Sequence, residues 1–442
     1  MPVTMTHRGS SILLLAALFI ALGLAVKPVL LEVGIVLILV LAGFRSYVSL
    51  SAQVIGKVRV EWRVKGIRDG EEVEVSAVIQ NPTVVPILHA EMSIFYSSFL
   101  KLERGSRAAV VIIPPRSTVE YRLWFRGRTG RHRVGPISVV VRDPFGLFKN
   151  QVVSIGEPAE FSIMPAVHEA VVRRLLAYTR STGLSKRREP GVGVEFYDTR
   201  EYQPGDELRI IDWKRSAKRL RLVVKEFEKE TYQSVLFILD ASPWMQLGPY
   251  GNTPFEHMAR VVSSVSMYLA SRGDLFGAIL YTGEQLITTG RLSRGMSGYK
   301  RVLKALSSVP YAEPSQAKQS RSQMIRAAAR KVVEVLPRER NIIILFTTSG
   351  DEDYEKAVRD VVFKLLTLGN IVYVTIPITT FYESKDLPEW ARIVYRVKAA
   401  DTTRKELSFA KKLAKTGVST IATTPSQLPQ QIARAIEASR PA

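Results

Sequence analysis

Two apolar stretches at the start of the chain restrict its possible folds more than any other feature. Ser11–Val26 (SILLLAALFIALGLAV) carries no charge, and Val29–Phe44 (VLLEVGIVLILVLAGF) carries only Glu32. Lys27 and Pro28 separate them, and proline cannot continue the first helix because it lacks an amide N–H and clashes with the preceding turn. Each stretch is slightly short of the ~20 residues that cross a hydrocarbon core. Tilt, bilayer thinning or flanking residues absorb that deficit. The pair predicts a helical hairpin with both ends on one side of a membrane. Arg8 precedes it, Arg45, Lys57 and Arg59 follow it, and only Lys27 lies in the turn. Basic residues collect on the cytoplasmic side, so residues 45–442 are expected in the cytoplasm. The competing reading is a signal peptide, with Arg8 leading into Ile12–Leu24. No small-x-small cleavage site precedes Lys27 and a second apolar run follows at once, which favours the hairpin.

Charge narrows the choice of partners. Lys and Arg number 62 against 41 Asp and Glu, a formal balance of +21. Such a surface attracts nucleic acid, anionic lipid headgroups or an acidic protein. It also suits the inward-facing part of a membrane protein. The chain has no cysteine, which excludes disulfides, thiolate zinc sites and cysteine nucleophiles.

Behind the hairpin (residues 1–50) the pattern becomes that of strands. Val58–Val64 and Val73–Ile79 alternate apolar and polar residues, as half-buried strands do. Further short runs follow at Met92–Tyr96, Ala108–Ile113, Val119–Phe125, Ile137–Val141 and Glu160–Ile163. They predict an antiparallel β-sandwich over residues 51–165. Within it, GRTGRHRVGPISVVVRDPFGLF (Gly127–Phe148) crowds Arg128, Arg131, His132 and Arg133 into a Gly-rich turn beside Arg126. That turn reads either as an anion site or as a bend whose glycines take positive φ, with Phe145 and Phe148 packing under the sandwich.

Residues 166–233 form a charged linking segment. Arg200, Asp206, Arg209 and Asp212 are interleaved with Phe196, Tyr202 and Trp213, and a basic cluster Lys214–Arg221 follows. Internal ion pairs that tie the segment to a neighbouring domain are the plain reading. A nucleic-acid groove of cations interleaved with aromatics is the alternative. From Ser234 to the end, apolar strands alternate with amphipathic helices, the mark of a mostly parallel sheet covered on both faces. The strands are expected at Ser234–Asp240, Leu275–Tyr281, Asn341–Phe346, Ile371–Ile376 and Ser419–Ala422, and a helix at Thr402–Thr416. In such sheets, function gathers at the carboxyl ends of the strands.

Asp240 ends the first of these strands, in FILDASPWMQ, with Ser242 two residues on. A magnesium-type site wants hard oxygen ligands in octahedral array. Asp240 and Ser242 supply two, Ser320 or Ser322 a hydroxyl from the loop before the next helix, and Thr347–Asp351 closes another strand with Asp353 beyond.

Here the chain resembles a family. A strand ending in Asp-x-Ser and a later one closing in Thr-x-Gly look like a von Willebrand factor A-type domain. The preceding EFYDTREYQPGDELRIIDWKRSAKRLRLVVKEFEKE and the earlier RVGPISVVVRDPFGLF resemble the signatures of family 58 of the domains of unknown function. That resemblance implies a multidomain chain: transmembrane hairpin, β-sandwich, then a Rossmann-like α/β A-type domain over residues 234–442. It also implies a degenerate metal-ion-dependent adhesion site. The A-type strand motif is Asp-x-Ser-x-Ser, but Trp244 stands at the second serine. The later motif is Thr-Asp-Gly, but Ser349 stands at its aspartate. Asp240, Ser242, Ser322 and Asp351 are what remains for Mg²⁺, and no cofactor is expected.

The five histidines, His7, His89, His132, His168 and His257, lie in separate segments, and none sits beside a serine or aspartate in a nucleophile motif. The expectation is therefore a non-enzymatic, membrane-anchored interaction or assembly protein. The resemblance implies a MoxR-type AAA+ ATPase as companion. Trp244 and the set Arg200, Asp206, Arg209, Asp212 and Trp213 are the expected contact residues. Binding of nucleic acid or anionic lipid through the basic clusters is the alternative, and would weaken steeply with salt.

Overall fold

A computed structural model describes residues 3–181, 190–228, 232–337, 340–380 and 389–440. The chain divides into two compact units, Met1–Met164 and Pro165–Ala442.

The first unit opens with a short strand, β1 (Val3–Met5), and two helices, α1 (His7–Ala25) and α2 (Pro28–Ile55). Both helices are long and apolar enough to cross a membrane. Their leucines and valines largely point outward, as Leu14 (72% exposed) and Leu39 (64%) show. The two helices meet through small residues: Ala16, Gly23 and Gly34 are buried between them. A Cβ on Gly23 would lie 2.3 Å from the Leu31 nitrogen, so the close approach requires glycine there. The second helix does not stop at Phe44, where its apolar run ends. Beyond it, Val48, Ser51, Ala52 and Ile55 are buried, and that spacing places them on one helical face.

Ten more strands follow: β2 (Arg59–Lys65), β3 (Val73–Asn81), β4 (Ile87–Tyr96), β5 (Leu100–Arg104), β6 (Ala108–Ile113), β7 (Ser117–Gly127), β8 (Gly130–Val141), β9 (Phe148–Asn150), β10 (Val153–Ile155) and β11 (Ala159–Ile163). One antiparallel sheet has the order β2-β3-β7-β5, and another β10-β8-β4-β6 with β11 also on β8. Alternate residues of both, such as Val73, Val75 and Ala77 on β3 and Val139 and Val141 on β8, enter one apolar cluster. In this unit β1, β5, β9 and β10 were not read as strands from the sequence, and each is only three to five residues long.

The DPFGLF motif binds the hairpin to this unit. Asp143 is fully buried, and its carboxylate accepts from the Phe145 nitrogen at 2.9 Å and the Phe148 nitrogen at 2.6 Å. The turn so formed presents carbonyls to Thr6, whose hydroxyl donates to Gly146 O at 2.7 Å and whose nitrogen donates to Leu147 O at 2.8 Å. Phe148 and Leu147 pack with Leu41 and Val48 of α2. Phe145 departs from expectation. It is 64% exposed and stands edge-on to Phe44 at 5.2 Å, because the turn points it away from the sheets.

The second unit begins with α3 (Glu169–Ser181). A hairpin of β12 (Pro190–Glu201) and β13 (Val223–Glu228) encloses α4 (Trp213–Arg219). Its main sheet contains β14 (Ser234–Asp240), β15 (Leu275–Tyr281), β16 (Leu286–Thr288), β17 (Ser293–Arg294), β18 (Ile342–Phe346), β19 (Ile371–Pro377) and β20 (Ser419–Thr423). The order is β16-β15-β14-β18-β19-β20, with β17 also on β15. From β15 through β20 the main strands are parallel. Side chains alternate between two cores: Val235, Phe237 and Leu239 face α5 (Pro254–Arg272) and α6 (Gly295–Ser307). Leu236 and Ile238 face α7 (Arg321–Val335) and α8 (Glu352–Thr367). Two helices close the chain, α9 (Glu389–Lys415) and α10 (Leu428–Ala438). The ninth helix begins well before Thr402, since its first turns carry only a weak apolar period.

Because Asp143 closes the turn that receives Thr6, Asp143→Ala should destabilise the first unit by roughly 2–4 kcal/mol, the cost of two buried amides losing a charged acceptor. Thermal unfolding of the full-length protein in detergent checks this.

Candidate functional site

Chain order sets the place of the site. β14 has β15 on one side and β18 on the other; the chain leaves β14 toward β15 and leaves β18 toward β19, in opposite directions, which opens a crevice between their carboxyl ends. Asp240 ends β14, and Thr347, Thr348 and Ser349 follow β18.

Asp240 is fully buried, and its partners are all accounted for within the unit. One oxygen accepts from the Ser242 nitrogen at 2.9 Å. The other accepts from Arg321 twice, from Nε at 2.9 Å and from a terminal nitrogen at 2.5 Å, and from the Tyr354 hydroxyl at 3.1 Å. Arg321 is the first residue of α7. Its guanidinium also donates to the Thr348 hydroxyl at 3.0 Å and to Ser349 O at 3.3 Å, and lies 3.9 Å above the Tyr354 ring. Burial works against the charge on Arg321, but Asp240 together with the Tyr354 and Tyr281 phenols outweighs it and raises the pKa above the usual arginine range. Tyr354 in turn meets Tyr281 at 2.7 Å and Thr347 at 2.5 Å. Burial, with the charge of Asp240, raises both phenols above their usual range.

This is a closed network around one buried ion pair. A divalent ion wants several anionic or neutral oxygens around it, whereas here a guanidinium lies against the Asp240 carboxylate. The residues present do not fit such an ion. Among the described residues no group of three or more His, Cys, Asp or Glu could hold a metal.

The other expected ligands have separate tasks. Ser242 is buried beside Asp240. Ser320 caps α7 by accepting from the Gln323 nitrogen at 3.2 Å, and Ser322 lies buried in the first turn. Asp351 caps α8, accepting from the Tyr354 nitrogen at 2.9 Å. Ser349, in place of the aspartate, binds Glu406 of α9 through its nitrogen at 2.8 Å and its hydroxyl at 3.1 Å. Burial pushes the Glu406 carboxyl up to about 7, against the opposing effect of those bonds. Trp244 is 40% exposed at the rim, on a single turn held by Gln246, which donates to Ala241 O at 3.0 Å and Pro310 O at 3.1 Å.

Sequence reasoning missed Arg321, Tyr354, Tyr281 and Glu406. Arg321 carried the readable signal: a cation between Ser320 and Ser322, at the edge where Asp240 was already expected.

In the central segment, Arg200 grips Asp206 with two bonds at 2.8 and 2.6 Å and reaches Glu226 at 3.1 Å. The hydrogen bond from Arg200 holds Asp206 below the usual carboxylate range. Asp212 caps α4. These pairs close within the segment itself, whereas the sequence pointed to a tie with a neighbouring domain. Arg209 and Trp213 are exposed, and Phe196 lies outside the described side chains. The basic turn of the first unit is partly neutralised: Arg126 faces Glu103 at 3.6 Å and Arg131 faces Glu160 at 3.8 Å, while Arg128 and His132 are buried.

Residues 198–374 match the family model described as a protein of unknown function, DUF58. The matched stretch is less than half of the chain. The uncharacterized protein YeaD of Bacillus subtilis (strain 168) is 33% identical over 66 residues, a match spanning 15% of this chain and 15% of that protein. Among solved structures, the SpRpn10 VWA domain is 16% identical over 47% of this chain and 96% of that one, with a TM-score of 0.29. The pilus adhesin SpaC of Lactobacillus rhamnosus GG is 10% identical over 47% of this chain and 31% of that one, with a TM-score of 0.33. Likenesses at this level carry no argument, and the fold described above stands on the chain's own topology. The DUF58 match runs from the Arg200–Asp206 clasp through Asp240, Arg321 and Tyr354 to β19.

Arg321→Ala leaves Asp240 buried without its cation and should cost roughly 3–5 kcal/mol, read as a lower denaturant midpoint. Glu406 gives a pH signature. Its carboxyl rises from 4.5 to about 7 on folding, so the folded state holds the proton more tightly. Its contribution to stability is full below pH 4.5, falls as pH rises through about 7 and is flat above. Glu406→Gln should abolish that slope; a slope that persists in the variant would assign the titration to another group.

Proposed function

We propose that this protein is a membrane-anchored, non-enzymatic interaction or assembly protein, and that its second unit is an A-type domain in which Arg321 takes the place of the metal. The observation that carries the reading is the Arg321–Asp240 ion pair. In a metal-dependent adhesion site, a partner's carboxylate completes the coordination of the ion. With an internal cation already paired to Asp240, recognition passes to the rim, where Trp244 and Leu247 are exposed. Exposed aromatics on a rigid turn are suited to anchor an interface. Two outward-facing apolar helices support the anchor, and the distribution of Arg and Lys supports a cytoplasmic orientation. On this reading the partner is a MoxR-type AAA+ ATPase or its client.

A second reading has its own support. On α4, Lys214, Lys218 and Arg219 are exposed beside Trp213 (63%) and Leu220 (94%). Cations mixed with exposed apolar side chains suit an anionic lipid surface. Co-flotation with anionic vesicles that is lost at high salt would support it, and salt-insensitive or absent flotation would eliminate it.

Three measurements test the main reading. Calorimetric titration of the full-length protein in detergent with Mg²⁺ and Mn²⁺ should give no saturable heat; saturable binding lost in Asp240→Ala would overturn the exchange of metal for arginine. Trp244→Ala should reduce recovery of the ATPase with the protein from native membranes, without lowering its thermal stability. Because the chain lacks cysteine, Lys27→Cys and Thr402→Cys report topology directly. An impermeant thiol reagent should label the first in intact cells and the second only after lysis.

A further inference from the structure

We propose that the open edge of β6 pairs with the same edge of a second copy of this chain, joining the two first units through one continuous antiparallel sheet. In its own sheet β6 has β4 on one side and no strand on the other. Its register against β4 is Ala108–Ser93, Ala109–Met92, Val110–Glu91 and Val111–Ala90. The Ile94 nitrogen continues that register by donating to Arg107 O at 2.9 Å. Successive residues of an antiparallel strand turn their amides to alternate sides. Arg107, Ala109 and Val111 therefore face β4, and the N–H and C=O groups of Ala108, Val110 and Ile112 face the open edge. Ala108 O accepts from the Ser106 hydroxyl at 2.6 Å and keeps a second lone pair.

This edge is unguarded. Natural edge strands are blunted by charge or by shortness, because an open row of backbone groups recruits another strand. β2, at an edge of the other sheet, exposes Arg59, Glu61, Arg63 and Lys65 in alternation. β10 and β11, across the sheet from β6, have only three and five residues. β6 runs for six residues, AAVVII, without a charge. Its Val110 is 58% exposed and its Ile112 59%.

Charge and side-chain size select a second copy as the occupant. A chain with a balance of +21 repels its own copies except where uncharged segments meet. The two-fold pairing that bonds the outward amides is centred on Val110: Val110 meets Val110, and Ala108 meets Ile112 in both directions. Each small side chain then lies against a large one, which fills the seam. Pro114 and Pro115 stop the ladder. The contact uses the open edge of both copies, so it closes at a dimer. A strand this short buries less than the roughly 1,200 Å² of a stable interface. The pairing therefore rests on the membrane anchor proposed above, which confines both copies to one plane and raises their effective concentration.

The absence of cysteine makes the test direct. In this register the two Val110 Cα atoms stand about 5.5 Å apart, within the ~4.4–6.8 Å that a disulfide spans. Full-length Val110→Cys, oxidised in native membranes with copper phenanthroline, should give a disulfide-linked species of twice the chain's mass. Its yield should exceed that of Glu61→Cys, on the guarded edge, several-fold. Adding Ile112→Lys, which puts on this edge the kind of charge that guards β2, should reduce that species several-fold with thermal unfolding unchanged. Monomer alone from Val110→Cys would overturn the proposal, as would a dimer that Ile112→Lys leaves undiminished. So would equal cross-linking by Glu61→Cys, which marks random collision, or capture of a protein of another mass, which marks a different occupant. Alkaline extraction of the same membranes reads the anchor separately. A protein that stays with the membranes but does not cross-link refutes the pairing alone, and one that is extracted but cross-links refutes the anchor alone.

Discussion

A carboxylate buried without water needs a cation, and the carboxyl edge of the second unit is arranged around that requirement. Asp240 is carried into the crevice by a strand whose neighbours are apolar on both faces. Arg321 meets it from the first position of α7, which brings that helix start to the end of β14. The guanidinium then lies over Tyr354, and the phenol returns a bond to the same carboxylate. Thr348 and Ser349 O complete the shell and tie the loop after β18 to α7. A buried pair of this kind adds little net stability compared with apolar packing, but removing one partner is costly. Its value is in specifying a single arrangement of four chain segments.

That arrangement bears on function through what it leaves at the rim. The polar centre is satisfied internally, so the surface available to a partner is Trp244 and its turn, held in place by Gln246. Glu406 joins α9 to the same loop with a carboxyl that titrates near neutrality. Ionising that carboxyl at higher pH carries the cost of its burial, which the bonds from Ser349 only partly offset. In the first unit, the DPFGLF turn has a comparable organising part. One buried aspartate holds the turn, and the turn holds both the N-terminal strand and the aromatic base of the hairpin.

The two N-terminal helices were legible because sixteen-residue runs with at most one charge have few other uses, and the α/β order was legible because buried parallel strands read as unbroken apolar runs. Helix and strand ends were less so. The extension of α2 to Ile55 rests on the spacing of Val48, Ser51, Ala52 and Ile55, four positions whose burial depends on what they pack against. The charged pattern at Arg200, Asp206 and Asp212 announced ion pairs, but their closure within one hairpin followed from the bend at Pro204–Asp206, which pattern alone does not orient.

Sequence by itself placed Asp240 at the end of an apolar strand with Ser242 beside it, put Trp244 and Ser349 where the A-type resemblance would have a hydroxyl and a carboxylate, and offered no thiol or histidine motif in their place. Only the tertiary structure decided what neutralises Asp240. Arg321 is 81 residues away in the chain, and its place between Ser320 and Ser322 hints at the crevice edge without showing which acid it meets. β18 lies parallel and next to β14, so α7, which leads into β18, starts beside that carboxylate, and the low dielectric of the crevice makes the pairing obligatory once it is there.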